Sequence, residues 1–451
     1  MILRLAGFFL VLGVIIFVHE LGHYLIARLS KVRVEEFGMG YPPRLVKLFR
    51  FQGTDFTLNW IPFGGFARLK GLDEEDAGSD SFTAASGGRK IAILIAGSVM
   101  NLLLACFCFA LTYRVGVPVA VGLPELSQVP AQSVAAGYAL APGDILLDVN
   151  GTKAQITPFT ASRVRLQARA PSESPTGQIA LMRDGELVSL PVAETATPAT
   201  VLAGTEHQAV LGIQIGRVVA GSPAEAAGLQ AGDRIYSLAG SPFYLQMEDL
   251  VHLTSRHLGQ QVPLVVLRDG RFVTTQVVPR PDPPAGEGPL GVTIRSVSEI
   301  GYVRAPYFLA LGMADTLMHI RTLATLPAQI IRGQADPADA ALIGPVGIAG
   351  LVGDAVEVTT STGLWLPILR LSGALSSALA VINLLPIPAL DGGRLLFVVV
   401  EMVRRKRIEP SREKLVHVVG MALLLLMMVF ITIQDVTSPQ PGIDWYEMLG
   451  R

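Results

Sequence analysis

Cysteine is nearly absent. Cys106 and Cys108 are the only two in 451 residues, and two positions apart on a helix they point to different sides, too badly placed for a mutual disulfide. They therefore give no information on redox compartment. Charge is scarce too, with 16% of residues charged against 50% hydrophobic and a mean hydropathy of +0.47. That balance argues against one soluble globule and for a membrane protein with a substantial water-exposed part. A formal net charge of −1 provides no basic excess for nucleic acid and no marked preference for an acidic or basic partner.

The sequence does contain long apolar runs, and the first of them carries ionisable side chains. Within FFLVLGVIIFVHELGHYLIARL, residues 8–29, His19, Glu20 and His23 form H-E-x-x-H. On a helix the i,i+4 spacing turns both imidazoles to one side, where they can hold one Zn²⁺ with Glu20 beside it as a base. Two satisfied histidines at a packing face are the plainer reading of those letters alone. Their depth in an apolar run favours function, because ionisable groups in a bilayer face a protein interior or a water-filled cavity. Arg4 before the run also suits a secretory signal, but Leu5 to Ala27, apolar apart from H-E-x-x-H, makes about 34 Å of helix, enough to cross a bilayer. It also lacks the small-residue end of a cleavage site.

Four spans are expected, at about 5–28, 91–112, 367–390 and 417–434, with a short-strand β-loop at about 50–70 after the first. Gly64 and Gly65 in that loop either bring backbone close to the metal or simply make a hairpin turn. The acidic run 73–80 reads as a solvated loop. Asn101, in the second span, suits a packing role as interhelical polar glue better than a place in the cavity. Residues 303–333 read as an amphipathic interfacial helix, since Asp315, His319 and Arg321 would be costly at mid-bilayer. The third span breaks in NLLPIPALDGG, residues 383–393, where irregular backbone must line protein or water. Asp391 stands at that break and supplies the third metal ligand beside His19 and His23, leaving a fourth position for water.

Basic residues cluster after the first span (Arg28, Lys31, Arg33), before the second (Arg89, Lys90) and between the third and fourth (404–407, Arg412, Lys414). The positive-inside rule places those loops in the cytoplasm and both termini, with the region between the second and third spans, on the far side. His23 and Asp391 then share the cytoplasmic half of the membrane.

Residues 115–285 alternate apolar segments with Gly, Pro and Asp, as in a soluble β-rich insert. GDILLDVNG at 143–151 echoes GDRIYSLAG at 232–240, and LMRDGELVSL at 181–190 echoes VLRDGRFVTT at 266–275. Two copies imply tandem small domains rather than a solenoid, with each RDG a hairpin turn. The copies resemble PDZ domains, modules that bind peptides by strand addition. In the second, VLGI at 210–213 takes the place of a peptide-terminus-binding loop, making Leu211, Gly212 and Ile213 candidate binding residues, and GSPAEAAGLQAGDRI at 221–235 resembles the helix, turn and strand. The first copy lacks a counterpart of VLGI. The expected division is membrane core 1–114, PDZ-like domains 115–204 and 205–285, a linker 286–362 with the interfacial helix, and membrane core 363–451.

HELGH at 19–23, PFGGF at 62–66, the two PDZ-like repeats and NLLPIPALDGG at 383–393 together resemble bacterial site-2 proteases, intramembrane zinc metalloproteases of regulated proteolysis, and in particular the RseP type with tandem PDZ domains. The likeness covers nearly the whole chain. It implies a polytopic α-helical membrane protein with four transmembrane helices, a membrane-associated β-loop and two inserted PDZ-like domains. It further implies that His19, His23 and Asp391 bind zinc, that Glu20 is catalytic, that Asn383 binds substrate backbone, and that the loop around Gly64 and Gly65 presents an edge strand to substrate. The implied enzyme is a zinc metalloendopeptidase of the bacterial inner membrane, active in stress response. Its implied substrates are single-span proteins, above all an anti-sigma factor already cut by an upstream site-1 protease, and remnant signal peptides. Its PDZ-like domains either exclude intact substrates or capture trimmed ends. Two other classes fit less well. A zinc-dependent transporter needs a route and repeats that four spans do not provide, and a noncatalytic PDZ-type scaffold leaves Glu20 and Asp391 without a role.

Overall fold

The structure, a computed structural model, describes residues 2–72, 78–156, 164–166, 177–242, 247–269, 271–284, 286–332, 343–406, 408–438 and 442–448. Most of the acidic run (73–77), Gly270 of the second RDG turn and Arg407 lie outside the described residues.

The chain begins with α1 (Ile2–Leu29), a hairpin of β1 (Val34–Phe51) and β2 (Thr54–Leu69), and α2 (Gly87–Val115). The insert opens with β3 (Val117–Ala120), β4 (Leu123–Gln128), α3 (Val134–Gly137), β5 (Ile145–Val149), β6 (Thr152–Lys153), β7 (Val164–Leu166), β8 (Gln178–Arg183), β9 (Glu186–Pro191), α4 (Pro198–Val201) and β10 (Glu206–Val210). It continues with β11 (Ile213–Val218), α5 (Pro223–Ala226), β12 (Arg234–Leu238), β13 (Ser241–Pro242), α6 (Met247–Arg256), β14 (Val262–Arg268), β15 (Arg271–Val277), β16 (Val292–Ser296) and β17 (Ser298–Val303). Then come α7 (Tyr307–Ile331), α8 (Pro345–Thr362), α9 (Leu366–Leu384), α10 (Asp391–Arg404) and α11 (Pro410–Thr437). The helices and hairpin form one compact unit from residues 1–116 and 305–445, and the insert from 117 to 304 forms a second.

In the first unit α1, α2, α9 and α11 are long and apolar enough to cross a membrane. The third is shorter than the expected 367–390. Pro386 and Pro388 cannot continue a helix, so α9 stops at Leu384 and Leu385 turns extended (φ −67°, ψ 144°). The helix expected near 303–333 is α7, which packs on α2 and α9. Gly312 allows that approach, since a Cβ there would strike the backbone of Ala110, and His319 Nδ1 lies 2.7 Å from Ser377 Oγ on α9.

The β-loop begins sixteen residues before the expected residue 50, at Val34. Its first strand is hard to read because Gly38, Gly40, Pro42 and Pro43 look like turn residues. Residues 36–39 lie between 65–68 on one side and 55–58 on the other, so the long hairpin folds back into a small curled sheet. Phe37, Leu69, Tyr24, Phe82 and Ile93 form a core that joins this sheet to α1 and α2. Burying a side chain such as Phe37 contributes about 1.5–3 kcal/mol.

In the insert, two sheets have the orders β10-β4-β5-β8-β9 and β15-β14-β12-β11-β16. The sequence echo has a direct physical basis. In the first copy Arg183 closes a two-pronged fork on Asp144 at 2.7 Å per prong and also donates to the Ala139 carbonyl. In the second, Arg268 forks onto Asp233 at 2.7 and 2.6 Å and donates to the Gly228 carbonyl. Each guanidinium pKa is raised, first by the hydrogen bond to its aspartate. The GD and RDG motifs recur together because each fork needs both. Strand β17 pairs with β3, Gly301 opposite Val117, which brings the two ends of the insert side by side.

The expected boundary at 204/205 needs correction. Strand β10, taken there as part of the second repeat, pairs along β4 and is an outer strand of the first sheet. Leu211 then turns the chain with φ +59°. Leu211 and Ile213 are completely buried. Ile213 is paired with Ile235 on one side and Ser296 on the other, and the Gly212 carbonyl accepts from Val297 N–H. Residues 211–213 are thus a packed connection between sheets, with neither a side chain nor a free strand edge for a peptide.

Candidate metal centre

Helix α1 carries His19 and His23 one turn apart, both buried, with ring centroids 4.9 Å apart and planes at 75°. The break after α9 delivers Asp391 as the first residue of α10. Its Oδ2 lies 3.1 Å from His19 Nε2 and 3.2 Å from His23 Nε2, and the two Nε2 atoms are 3.2 Å apart. Tetrahedral zinc with bonds of about 2.0–2.1 Å holds its donors about 3.3 Å apart. Two imidazoles and one carboxylate at this separation therefore fit a zinc ion, and these three form a candidate metal-holding group among the described residues.

The break itself is firmly held. Ala389, two residues before Asp391, takes a left-handed φ of +77°, a conformation that non-glycine residues need surrounding structure to maintain. Its N–H donates to His417 Nδ1 on α11 at 2.9 Å. A Cβ on Gly393 would press into the Ile387 and Pro388 backbone, so the glycines after Asp391 let the loop fold tightly over the start of α10. At the other end of the break, Asn383 in the last turn of α9 is buried, with Nδ2 3.4 Å from His19 Nε2.

Glu20 points to the same region and interacts electrostatically with His23, His19 and Asp391. The hairpin meets it at Gly65, where a Cβ would lie 3.2 Å from Glu20 Cγ and 2.9 Å from Ile16 Cγ2. Gly64, with φ +78°, makes the turn just before. Residues 65–68 pair with 36–39 on one edge and have no strand on the other among the described residues. The strand edge beside the candidate metal donors therefore has no strand partner among the described residues, and the Ala67 backbone hydrogen-bonds to the Glu20 carboxylate.

Helix α2 contributes more than the sequence suggests. His23 Nδ1 is 2.8 Å from the Ile93 carbonyl, which can only accept, so the ring donates there and keeps Nε2 free toward Asp391. Gly97 lies directly under both rings, and a Cβ there would collide with His23 Nε2 and sit 2.6 Å from His19 Cε1. Asn101, expected to serve in packing, is instead completely buried with Nδ2 3.3 Å from His19 Nδ1. A backbone carbonyl, a missing side chain and a lone asparagine leave little trace in a sequence, and neither does the grip of His417 on the break.

A family model described as peptidase family M50 matches residues 7–427. The chain belongs to this family. It is 30% identical over 448 residues to the regulator of sigma-E protease RseP of Escherichia coli, covering 94% of this chain and 96% of the relative. A putative zinc metalloprotease of Ralstonia nicotianae is 31% identical over 457 residues, covering 94% and 96%. One from Clostridium acetobutylicum is 24% identical over 430 residues, covering 95% and 96%. This M50 peptidase is thus a zinc metalloendopeptidase of the site-2 protease type, and its class of reaction is regulated intramembrane proteolysis. The noncatalytic scaffold reading gives way to that membership.

Proposed function

We propose that His19, His23 and Asp391 hold the zinc ion and that Glu20 is the proton carrier of an intramembrane peptidase. The observation that supports this most is the convergence of three donors to within 3.2 Å, the first and last of them 372 residues apart in sequence. Zinc, when bound, acidifies water and polarises a carbonyl. Glu20 is placed to take a proton from the attacking water and return it to the leaving amine. A transmembrane substrate hides its peptide bonds in i to i−4 hydrogen bonds and must unwind locally before cleavage. The edge of residues 65–68 that lacks a strand partner offers the unwound segment backbone partners, and Asn383 beside His19 offers an amide; both recover hydrogen bonds that are costly to leave unmet in lipid.

The substrates are transmembrane segments of single-span proteins in the bacterial inner membrane, first an anti-sigma factor already trimmed by a site-1 protease, and also remnant signal peptides. The relative named as a sigma-E regulator supports the first. Both termini and the insert lie on the periplasmic side, with the metal centre toward the cytoplasm. The insert's two PDZ-like sheets act mainly as a size filter. Deleting the insert should make untrimmed substrates cleavable; loss of cleavage confined to trimmed substrates would instead favour capture of a peptide end.

The decisive experiment compares Glu20→Gln with the parent in membranes holding a labelled single-span protein. Bound zinc should stay at the parent level while cleavage falls at least about 100-fold. Unchanged cleavage would sink the role assigned to Glu20.

A further inference from the structure

Helix α2 presents three different features to the two histidines at one-turn intervals, the Ile93 carbonyl, Gly97 and the Asn101 side chain. Spaced i, i+4 and i+8, they lie along one face. The first fixes His23, as its Nδ1 can only donate to a carbonyl. The second makes room for both rings. The third lies where an equivalent partner for His19 belongs.

An asparagine amide can present either end. In the orientation found, Nδ2 faces His19 Nδ1 at 3.3 Å, and Oδ1 is buried without a hydrogen-bond partner among the described residues. A donor facing Nδ1 requires the ring proton to be on Nε2. That nitrogen is the one 3.1 Å from Asp391 and 3.2 Å from His23 Nε2, and protonated it has no lone pair for a metal. Turning the amide over places Oδ1 against Nδ1–H and frees Nε2, which makes His19 match His23. The asparagine backbone is held by helix α2 itself, and its carbonyl also accepts from Ser376 Oγ on α9 at 2.8 Å, a contact that does not reach the ring.

We infer that Asn101 is a positioning residue of the metal centre, its amide oxygen accepting from His19 Nδ1–H so that Nε2 is held toward the zinc. The inference rests on His19 being a zinc ligand. Partners of this kind change metal affinity by about 10–100-fold when removed.

The test uses the full-length protein in detergent, measuring zinc affinity by chelator competition and the visible spectrum of the cobalt-substituted form. Asn101→Leu should bind zinc about 10–100-fold more weakly and shift the cobalt bands. Asn101→Asp keeps an oxygen in place and should restore affinity to within a few-fold of the parent. Ser376→Ala disturbs the same helix contact without touching His19 and should leave both readouts unchanged. Parent-like affinity and spectrum in Asn101→Leu would overturn the inference, as would an equal loss in the Asp variant or in Ser376→Ala. His19→Ala separates this failure from failure of the ligand assignment. Should His19→Ala lose zinc while Asn101→Leu does not, only the positioning role is wrong; should His19→Ala retain zinc, the assignment itself falls.

Discussion

Aspartates held by close partners occur in both units, fully buried at Asp144 and Asp233 in the insert and half-buried at Asp391 in the helical unit, and these are used in opposite ways. In the insert, Asp144 and Asp233 are each almost completely buried and each closed by an arginine fork, with a backbone N–H from Ala141 or Gln230 completing the set. Every lone pair that matters has a donor, and the group ties a strand to the turn before it. In the helical unit, Asp391 meets two imidazole nitrogens that can turn their own protons elsewhere. Three acceptor-capable atoms at mutual distances of 3.1–3.2 Å suit a cation between them. The lesson is that the donor or acceptor character of a carboxylate's neighbours separates a structural clasp from a candidate metal site.

Substitution can break or sharpen this contrast. The largest effect is expected for Asp391→Asn, which should lower bound zinc to a small fraction and cleavage by at least about 100-fold with helical content unchanged. Stoichiometric zinc in that variant would erase the difference between the two kinds of aspartate. Asp233→Asn removes the negative charge and one of the two acceptor oxygens from the Arg268 fork and should destabilise the second sheet by about 3 kcal/mol. Hydrogen exchange of β12 and β14 reads that directly, while cleavage of an already trimmed substrate should hold; a loss of cleavage matching that of Asp391→Asn would contradict the division. Gly97→Ala, which pushes a methyl into both imidazoles, should weaken zinc binding by about 10-fold without moving the insert's exchange rates. The smallest effect belongs to His417→Phe. It removes the acceptor for Ala389 N–H at a cost of about 1 kcal/mol, read as a drop of a few-fold in cleavage at unchanged zinc content.

The sequence made the centre legible wherever a residue type and a spacing coincide. His19, Glu20 and His23 announce themselves by i,i+4 geometry, and Asp391 by standing where two prolines stop an apolar helix. The Asn383 position was readable only through resemblance, while Gly65 stood between a close approach to the metal and a plain hairpin turn. The support beneath the histidines was not, because Ile93 acts through its backbone and Gly97 through having no side chain at all. Asn101 was visible as a polar residue in an apolar helix, yet its direction depends on how α1 and α2 cross. In the insert the repeats were clear from the GD and RDG motifs, whose common cause is the arginine fork. The boundary was not, since strand β10 follows the first repeat's last motif and finds its pairing partner more than seventy residues earlier, at β4. Period-two alternation identifies a strand but not its neighbour, and placing Leu211 to Ile213 in a peptide groove followed from that gap.

The order in which the chain is made gives the split centre a built-in delay. His19 and Asp391 are 372 residues apart, and a ribosome adding roughly 5–20 residues per second needs about 20–70 s to connect them. During that interval α1 is already available for insertion while the donor set lacks its carboxylate. On the proposed assignment, hydrolytic competence waits for the helices that follow the insert. On the proposed ligand set, the nascent protein therefore lacks one zinc donor until the whole insert has been synthesised.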